Sequence, residues 1–122
     1  MKLHEHIQHR MNLVSRYDAG AIEVNGQRHA GPLILAPGFV LADWVAAAAD
    51  LTAESLEPLW PLQPRIVLLG GSGFTAEQLR AVRRRLTARE AGLEVMDLGA
   101  ACRTYNVLAQ EERPVAALLF PS

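Results

Sequence analysis

The second half of the chain alternates short apolar runs with amphipathic segments. Residues 65–69 are apolar with little alternation, as in a strand that is covered on both faces. An apolar stripe over residues 75–89 predicts an amphipathic helix. Strands are predicted again at residues 93–97 and 115–120, with a short helix between them. The order strand–helix–strand–helix–strand, with short connections, predicts right-handed crossovers and a parallel sheet.

Local sequence signals predict where the helices begin and end. Thr75 and Gln78 have the spacing of a capping box, in which each side chain bonds the other residue's backbone N–H. Gly92 is expected to close that helix, because glycine readily adopts the left-handed conformation found at helix ends. A shorter helix is predicted over residues 53–57, where Thr52 is the cap and two later prolines limit the length.

The first half of the chain has the pattern of antiparallel β-structure. Short strands are predicted at residues 13–17, 21–24 and 33–35. Asn25 and Gly26 supply the two positive φ angles of a type I′ turn, so a hairpin is expected there. Residues 39–49 suit a strand at their start and a helix at their end, and we favour an extended start with Trp44 packed on the core. The two halves together predict an α/β fold.

Composition sets bounds on this fold and on its partners. The chain has 122 residues, half of them hydrophobic and a fifth charged, which fits one globular domain. We predict a flexible N-terminus at residues 1–12 and a single α/β domain at residues 13–122. The net charge of −1 gives no electrostatic footprint for nucleic acid, so no nucleic-acid partner is expected.

The single cysteine and the lack of a long apolar run indicate the cellular compartment in which the protein is expected. One cysteine cannot form an internal disulfide, which suits a reducing environment. No apolar run reaches membrane-spanning length, and residues 1–12 lack the apolar core of a secretory signal and the composition of a mitochondrial presequence. A cytoplasmic protein with no membrane span is therefore expected.

Three histidines lie close together near the N-terminus, at His4, His6 and His9. Imidazoles at short spacing could bind a metal ion, but this spacing matches no standard zinc pattern. A solvated terminus is the favoured interpretation, and neither a metal site nor a cofactor is predicted.

The first candidate for chemistry is the glycine-rich turn after residues 65–69, formed by Gly70, Gly71, Ser72 and Gly73. Backbone N–H groups in such a turn, before a capped helix, can hold an anion. The turn lacks both the spacing of a dinucleotide fingerprint and the Gly-Lys-Ser/Thr of a phosphate-binding loop. The alternative is that the glycines only permit a tight turn.

The second candidate lies between the last two predicted strands. Its polar residues are Asp97, Cys102, Arg103, Thr104 and Asn106. A cysteine in the first turn of a helix beside an arginine can have a lowered pKa and act as a nucleophile, but no base lies nearby in sequence. The alternatives are a buried cysteine, an Asn106 that bonds a neighbouring strand, and an Arg103 paired with Asp97 or Glu111.

The two candidates would share one crevice if both lie at the carboxyl ends of adjacent parallel strands. Gly71, Ser72, Gly73, Asp97, Arg103, Thr104 and Asn106 would then line a pocket for an anionic small molecule. A separate arginine-rich helix face at residues 80–89 could contact an acidic partner or nucleic acid, although a solvated face is favoured. Trp60 and Phe120, if exposed, would offer a homodimer contact.

A family resemblance rests on motifs spread over nearly the whole chain. They are Tyr17-x-x-Gly-x-Ile-x-Val-Asn-Gly, Val67-Leu-Leu-Gly-x-x-Gly and Met96-Asp97-x-Gly-x-Ala-Cys-Arg-Thr-Tyr-Asn-Val-Leu. With these motifs the chain resembles a small domain-of-unknown-function family. That family includes mitochondrial respiratory complex I assembly factor 3, an adipogenesis-associated animal protein and stand-alone prokaryotic chains.

The resemblance has implications for the fold and for the function. It implies a three-layer α/β fold with a mixed central sheet and an added β-hairpin layer. It implies no established enzymatic activity and gives no catalytic residues, whereas the eukaryotic member works through protein contacts. We therefore expect a non-catalytic interaction or assembly module with a protein partner. The alternative is a protein or enzyme that uses the crevice, with Cys102 as the candidate nucleophile.

Overall fold

The computed structural model describes residues 11–18 and 20–122. His4, His6 and His9 lie outside these residues. The described strands form two sheets. The small sheet is antiparallel and has the order β1-β2-β3, formed by β1 (Val14–Asp18), β2 (Ala21–Val24) and β3 (Gln27–His29).

The large sheet has the order β5-β4-β8-β6-β7. Its strands are β4 (Leu33–Ala36), β5 (Phe39–Ala42), β6 (Ile66–Gly70), β7 (Gly92–Met96) and β8 (Val115–Leu119). Strand β4 pairs antiparallel with β5 and β8, whereas β6 pairs parallel with β7 and β8. The helices are α1 (Ala76–Thr87) and α2 (Leu98–Gln110), and a 3-10 segment covers Glu54–Leu62. The predicted α/β fold with a mixed central sheet is confirmed.

The large sheet separates two hydrophobic cores and so defines three layers. Successive residues of a strand point to opposite faces of a sheet. In β8, Leu118 therefore packs with α1 residues such as Val82 and Leu86, while Leu119 packs with Tyr105 of α2. The small sheet lies on the α2 side, where Ile22 and Val24 join the second core. The hairpin layer expected from the family resemblance is present.

The predicted β-hairpin turn and capping box are both confirmed. Asn25 and Gly26 have φ values of 50° and 88° between β2 and β3. Thr75 Oγ1 accepts a hydrogen bond from Gln78 N at 3.0 Å, and Gln78 Oε1 accepts one from Thr75 N at 2.8 Å. Trp44 packs on the core as predicted, with its ring centroid 5.4 Å from that of Phe120.

The predicted end of α1 is wrong. Helix α1 ends at Thr87, and Gly92 begins β7 instead of closing the helix. The left-handed residue is Glu90, with φ of 62°, and Ala91 N bonds Leu86 O across the turn in a Schellman-like arrangement. Glycine is common at this position but is not required, so the nearest glycine was a misleading signal.

The short helix predicted over residues 53–57 is also wrong in type and extent. A 3-10 segment runs over Glu54–Leu62 and contains Pro58 and Pro61. Proline cannot donate a backbone hydrogen bond, but its fixed φ lies within the 3-10 range, so the chain continues to turn past both residues. Thr52 still bonds a free backbone N–H group at the start of this segment, since its Oγ1 accepts a hydrogen bond from Ser55 N at 3.1 Å.

Close backbone packing occurs at the end of β6. A Cβ atom on Gly70 would lie 2.4 Å from the Cβ of Ala101 in α2. Gly71 has φ of 134° and, with a Cβ atom, would lie 2.9 Å from the Cβ of Phe120. These glycines therefore let α2 approach β6 and let the chain turn away from the sheet.

We expect Gly70→Ala to destabilise the protein by about 1–3 kcal/mol, because the added methyl group must push α2 away from the sheet. Gly38→Ala is the matched control, since a Cβ atom there meets nothing within 4 Å. The control should change the free energy of unfolding by less than about 0.5 kcal/mol in urea titrations. Equal stability of the two variants would contradict the proposed close packing.

Candidate functional site

The turn between β7 and α2 uses Asp97 as a helix cap. Its Oδ1 accepts a hydrogen bond from Ala100 N at 2.8 Å. A carboxylate at this position satisfies a free N–H group and interacts favourably with the helix dipole. Asp97 was predicted as a ligand-binding residue, and its spacing from the helix start was a capping signal that sequence reasoning missed.

Asn106 joins α2 to the small sheet. Its Oδ1 accepts a hydrogen bond from Val14 N at 2.9 Å, and its Nδ2 donates one to Val14 O at 2.8 Å. The side-chain amide therefore takes the place of a neighbouring strand along the edge of β1. The prediction that Asn106 bonds a strand's backbone is confirmed. Tyr105 adds a second link, because its hydroxyl donates to Asn12 O at 2.7 Å.

Cys102 is 1% exposed and lies in the core between α2 and the sheet. Burial raises the pKa of its thiol to about 11, although the neighbouring Arg103 partly opposes the rise. The thiolate is the nucleophilic form of cysteine, so little of it exists at neutral pH. This environment is that of a packed cysteine.

Arg103 lies on the outer side of α2 and hydrogen-bonds the hydroxyl of Tyr17 in β1. The predicted ion pairs with Asp97 or Glu111 are not formed. Oε1 of Glu111 instead lies 3.7 Å from Nη1 of Arg113. Among the described residues, no carboxylate lies within salt-bridge distance of Arg103. Arg103 is exposed, and an arginine always carries its charge, so its guanidinium places a positive charge at this surface.

A cavity of about 280 Å³ lies between β1 and α2. Its charged and polar lining includes Arg16, Tyr17, Arg103 and Asn106. The β1 residues Arg16 and Tyr17 were not among the predicted site residues. The sequence signal for Tyr17 was its place at the start of a family motif, and Arg16 had none, since nothing in the sequence indicated that β1 lies beside α2.

The glycine-rich turn occupies the expected end of the sheet. Gly70 pairs with Met96, so the carboxyl ends of β6 and β7 lie side by side. Gly71 N already donates to Met96 O at 3.1 Å, and a Cβ atom on Gly73 would contact Ala48. The cavity beside Arg103 is lined by β1 and α2, and its lining does not include Ser72, Gly73 or Thr104. The shared anion-binding crevice stays a prediction.

The described residues also bear on a metal site, a membrane span and the predicted homodimer contact. Within residues 11–18 and 20–122, no three His, Cys, Asp or Glu side chains are grouped to hold a metal ion. The described helices are too short or too polar to cross a membrane. Phe120 is 4% exposed, so the predicted homodimer contact through Trp60 and Phe120 lacks one of its two residues.

These features define a class of small α/β domain in which a hairpin sheet is joined to the helix that follows β7. Residues 14–120 match the family described as "Protein of unknown function (DUF498/DUF598)". The chain belongs to this family.

Curated relatives and solved structures agree with this membership. NADH dehydrogenase (ubiquinone) 1 alpha subcomplex assembly factor 3 from Bos taurus is 36% identical over 110 residues, which are 88% of this chain and 60% of that protein. The Danio rerio counterpart is 35% identical over 111 residues, 89% of this chain and 64% of that protein. The chain therefore spans less than two thirds of the length of these relatives.

Two bacterial structures share the fold. A crystal structure of a Bordetella parapertussis protein has a TM-score of 0.78 and 37% identity, covering 93% of this chain and 98% of that chain. A solution structure from Xanthomonas campestris has a TM-score of 0.74 and 30% identity, covering 90% of this chain and 84% of that chain.

Removal of the Asn106 side chain should destabilise the fold. Asn106→Ala leaves the N–H and C=O of Val14 without their partner, and we expect a loss of about 1–3 kcal/mol in the free energy of unfolding. Gln110→Ala is the control, because Gln110 is exposed on the same helix. If urea titrations give both variants the stability of the parent, the Asn106 bonds do not hold the two layers together.

The raised pKa of Cys102 predicts a specific pH dependence. The folded state binds the thiol proton more tightly than the unfolded state, whose thiol has a pKa of 9.0. The resulting stability is fully present below pH 9.0 and is lost as the pH rises through about 11. The parent should therefore lose more stability than Cys102→Ala over this window. Comparison of the two proteins cancels the contribution of Tyr105, and parallel pH profiles would contradict the burial of the thiol.

Proposed function

We propose that the chain is a non-catalytic interaction or assembly module that acts in the cytoplasm. The observation that carries this proposal is an exposed surface formed by Tyr17, Arg103 and Val107, called the Tyr17–Val107 surface below. Tyr17 and Val107 are 38% and 53% exposed, and they are two of the three large hydrophobic residues exposed in the described part of the chain.

The geometry of this surface suits a protein contact. Arg103 and Val107 are one helical turn apart on the outer face of α2, and Arg103 hydrogen-bonds Tyr17 on the neighbouring strand. Tyrosine and arginine are enriched among residues that dominate binding energy in protein interfaces. Because Tyr17 and Arg103 already orient each other, less side-chain entropy is lost when a partner binds.

The polar groups beneath this surface support a non-catalytic role. A nucleophile needs a lowered pKa or an adjacent base, whereas burial raises the pKa of Cys102. Asp97 caps α2, and Asn106 bonds both backbone groups of Val14. Each of these groups already has a structural role that would be lost if it engaged a substrate.

The relatives suggest the kind of partner. Several curated relatives are assembly factors of NADH dehydrogenase, and they match most of this chain. We infer by similarity that the partner is one subunit of a multi-subunit complex. The chain would bind this subunit while the complex is assembled. A respiratory NADH dehydrogenase is the first complex to examine.

The test is quantitative affinity capture of the tagged chain from its native cells. We expect subunits of a respiratory complex to be recovered, and Val107→Asp to reduce the recovery about tenfold because it places a charge in an apolar contact. The variant should fold normally, since Val107 is exposed.

Ala46→Asp is the matched control, because it adds the same charge to an exposed residue outside both the Tyr17–Val107 surface and helix α1. It should recover as much partner as the parent. The proposal fails if the parent captures no partner or if Val107→Asp captures as much as the control does. Sedimentation analysis of the same proteins shows whether the partner is a second copy of the chain.

A second candidate function is the binding of a small anion in the cavity beside Arg103. Arg16 and Arg103 both line this cavity, and no carboxylate among the described residues lies within salt-bridge distance of either guanidinium. NMR titration with inorganic phosphate should shift the Cys102 and Asn106 amides in the parent but not in Arg103→Ala. Unchanged spectra of the parent would exclude this function for phosphate.

A further inference from the structure

A larger cavity, of about 560 Å³, lies in the layer opposite to the Tyr17–Val107 surface. Its walls come from the end of the 3-10 segment, the start of β6 and the turn that follows α1. The residues that matter for its chemistry are Trp60, Arg65, Arg89 and Glu90. The volume is within the range of pockets that bind small molecules or peptide side chains.

An arginine is fixed against the aromatic wall of this cavity. The guanidinium carbon of Arg89 lies 4.1 Å from the ring centroid of Trp60, and that of Arg85 lies 5.7 Å away. A guanidinium that stacks on an indole ring keeps N–H groups along its edge available for a carboxylate. The stacking therefore orients the charge of Arg89 before any ligand arrives.

The cavity and the neighbouring helix carry unpaired positive charge. Among the described residues, no carboxylate lies within salt-bridge distance of Arg65, Arg85 or Arg89, and Glu90 is the one acidic residue in the lining. A second, shallower hollow shares Ala88 with the cavity and extends along α1 to Arg84 and Arg80.

The arrangement of charge along α1 is unfavourable for the helix alone. Arg80 and Arg84 are one turn apart, and like charges at that spacing destabilise a helix. The helix dipole favours Arg84 near the C-terminus but gives no such benefit to Arg80.

Trp60 also has an unsatisfied polar atom. Its Nε1 is buried and has no hydrogen-bond partner among the described residues, whereas Nε1 of Trp44 donates to Ser55 O at 2.7 Å. Buried donors nearly always have partners, so this N–H is an exception among the described side chains.

We propose that this cavity and the adjoining face of α1 dock an acidic peptide segment of a partner protein. A carboxylate side chain enters the cavity between Arg65 and Arg89, and further acidic residues follow the helix toward Arg84 and Arg80. The charge extends over two hollows, which fits an extended polyanion better than a single small ion. The large sheet separates this site from the Tyr17–Val107 surface, so the two sites are independent.

A peptide fits these observations better than a nucleic acid does. Single-stranded nucleic acids bind by stacking bases on exposed aromatic rings, but Arg89 and Arg85 lie over the Trp60 ring. The chain also has a net charge of −1, so it lacks the general positive field by which many proteins attract long nucleic acids.

The test is an NMR titration that follows the two indole N–H resonances at low salt. A short oligoglutamate peptide should shift the Trp60 resonance while the Trp44 resonance stays nearly fixed, and an oligoglutamine peptide of equal length should shift neither. Arg65→Ala and Arg89→Ala should each weaken binding about tenfold. Arg28→Ala is the control, because Arg28 lies in β3 near Asp18.

Three kinds of outcome would overturn the proposal. The first is a Trp60 resonance that does not move, or a loss of affinity in Arg28→Ala as large as in Arg89→Ala. The second is binding of a single-stranded oligonucleotide of equal charge as tightly as the peptide. The third is inorganic phosphate that binds as tightly as the peptide. Arg103→Ala should leave peptide binding unchanged, which keeps this test separate from that of the proposed function.

Discussion

Strand β8 is the structural element on which both halves of the molecule depend. All five of its residues are buried, and it bonds β4 on one edge and β6 on the other. The antiparallel and parallel parts of the large sheet meet only through this strand. Its side chains alternate between the two cores, so the α1 layer and the α2 layer both pack on it. A continuous apolar strand of this kind is required wherever a sheet is covered on both faces.

The polar residues in the segment from β7 to β8 have structural roles. Asp97 begins α2, Asn106 attaches the small sheet and Cys102 fills the core between them. A cluster that suggests catalysis in the sequence is therefore largely occupied in holding three layers together. The available chemistry lies further out, where Arg103 and Tyr17 face away from the core. The polar groups of the interior therefore serve stability.

Local interactions were predictable from the sequence, and contacts between distant segments were not. The Asn25-Gly26 turn and the Thr75–Gln78 capping box depend on residues close in the chain, so their patterns were sufficient. The strand order, the position of β1 beside α2 and the stacking of Arg89 on Trp60 depend on packing between separate elements. Asn106 bonds Val14, which is far away in the chain. The sequence could therefore not decide whether Asn106 binds a ligand or bonds a strand's backbone.

The attachment of the small sheet has a consequence for the motions of the protein. No backbone ladder joins the two sheets in the described structure. The links include the side-chain bonds of Asn106 and Tyr105, the backbone bond from Asn12 N to Pro37 O, and packing of Ile22. Breaking these links exposes one side of α2 while the five-stranded sheet keeps all its hydrogen bonds. Because side-chain bonds and packing replace a ladder here, we expect the hairpin layer to separate from α2 more readily than the strands of the large sheet separate from one another. Because Tyr17 belongs to that layer and Arg103 does not, each opening divides the surface they share.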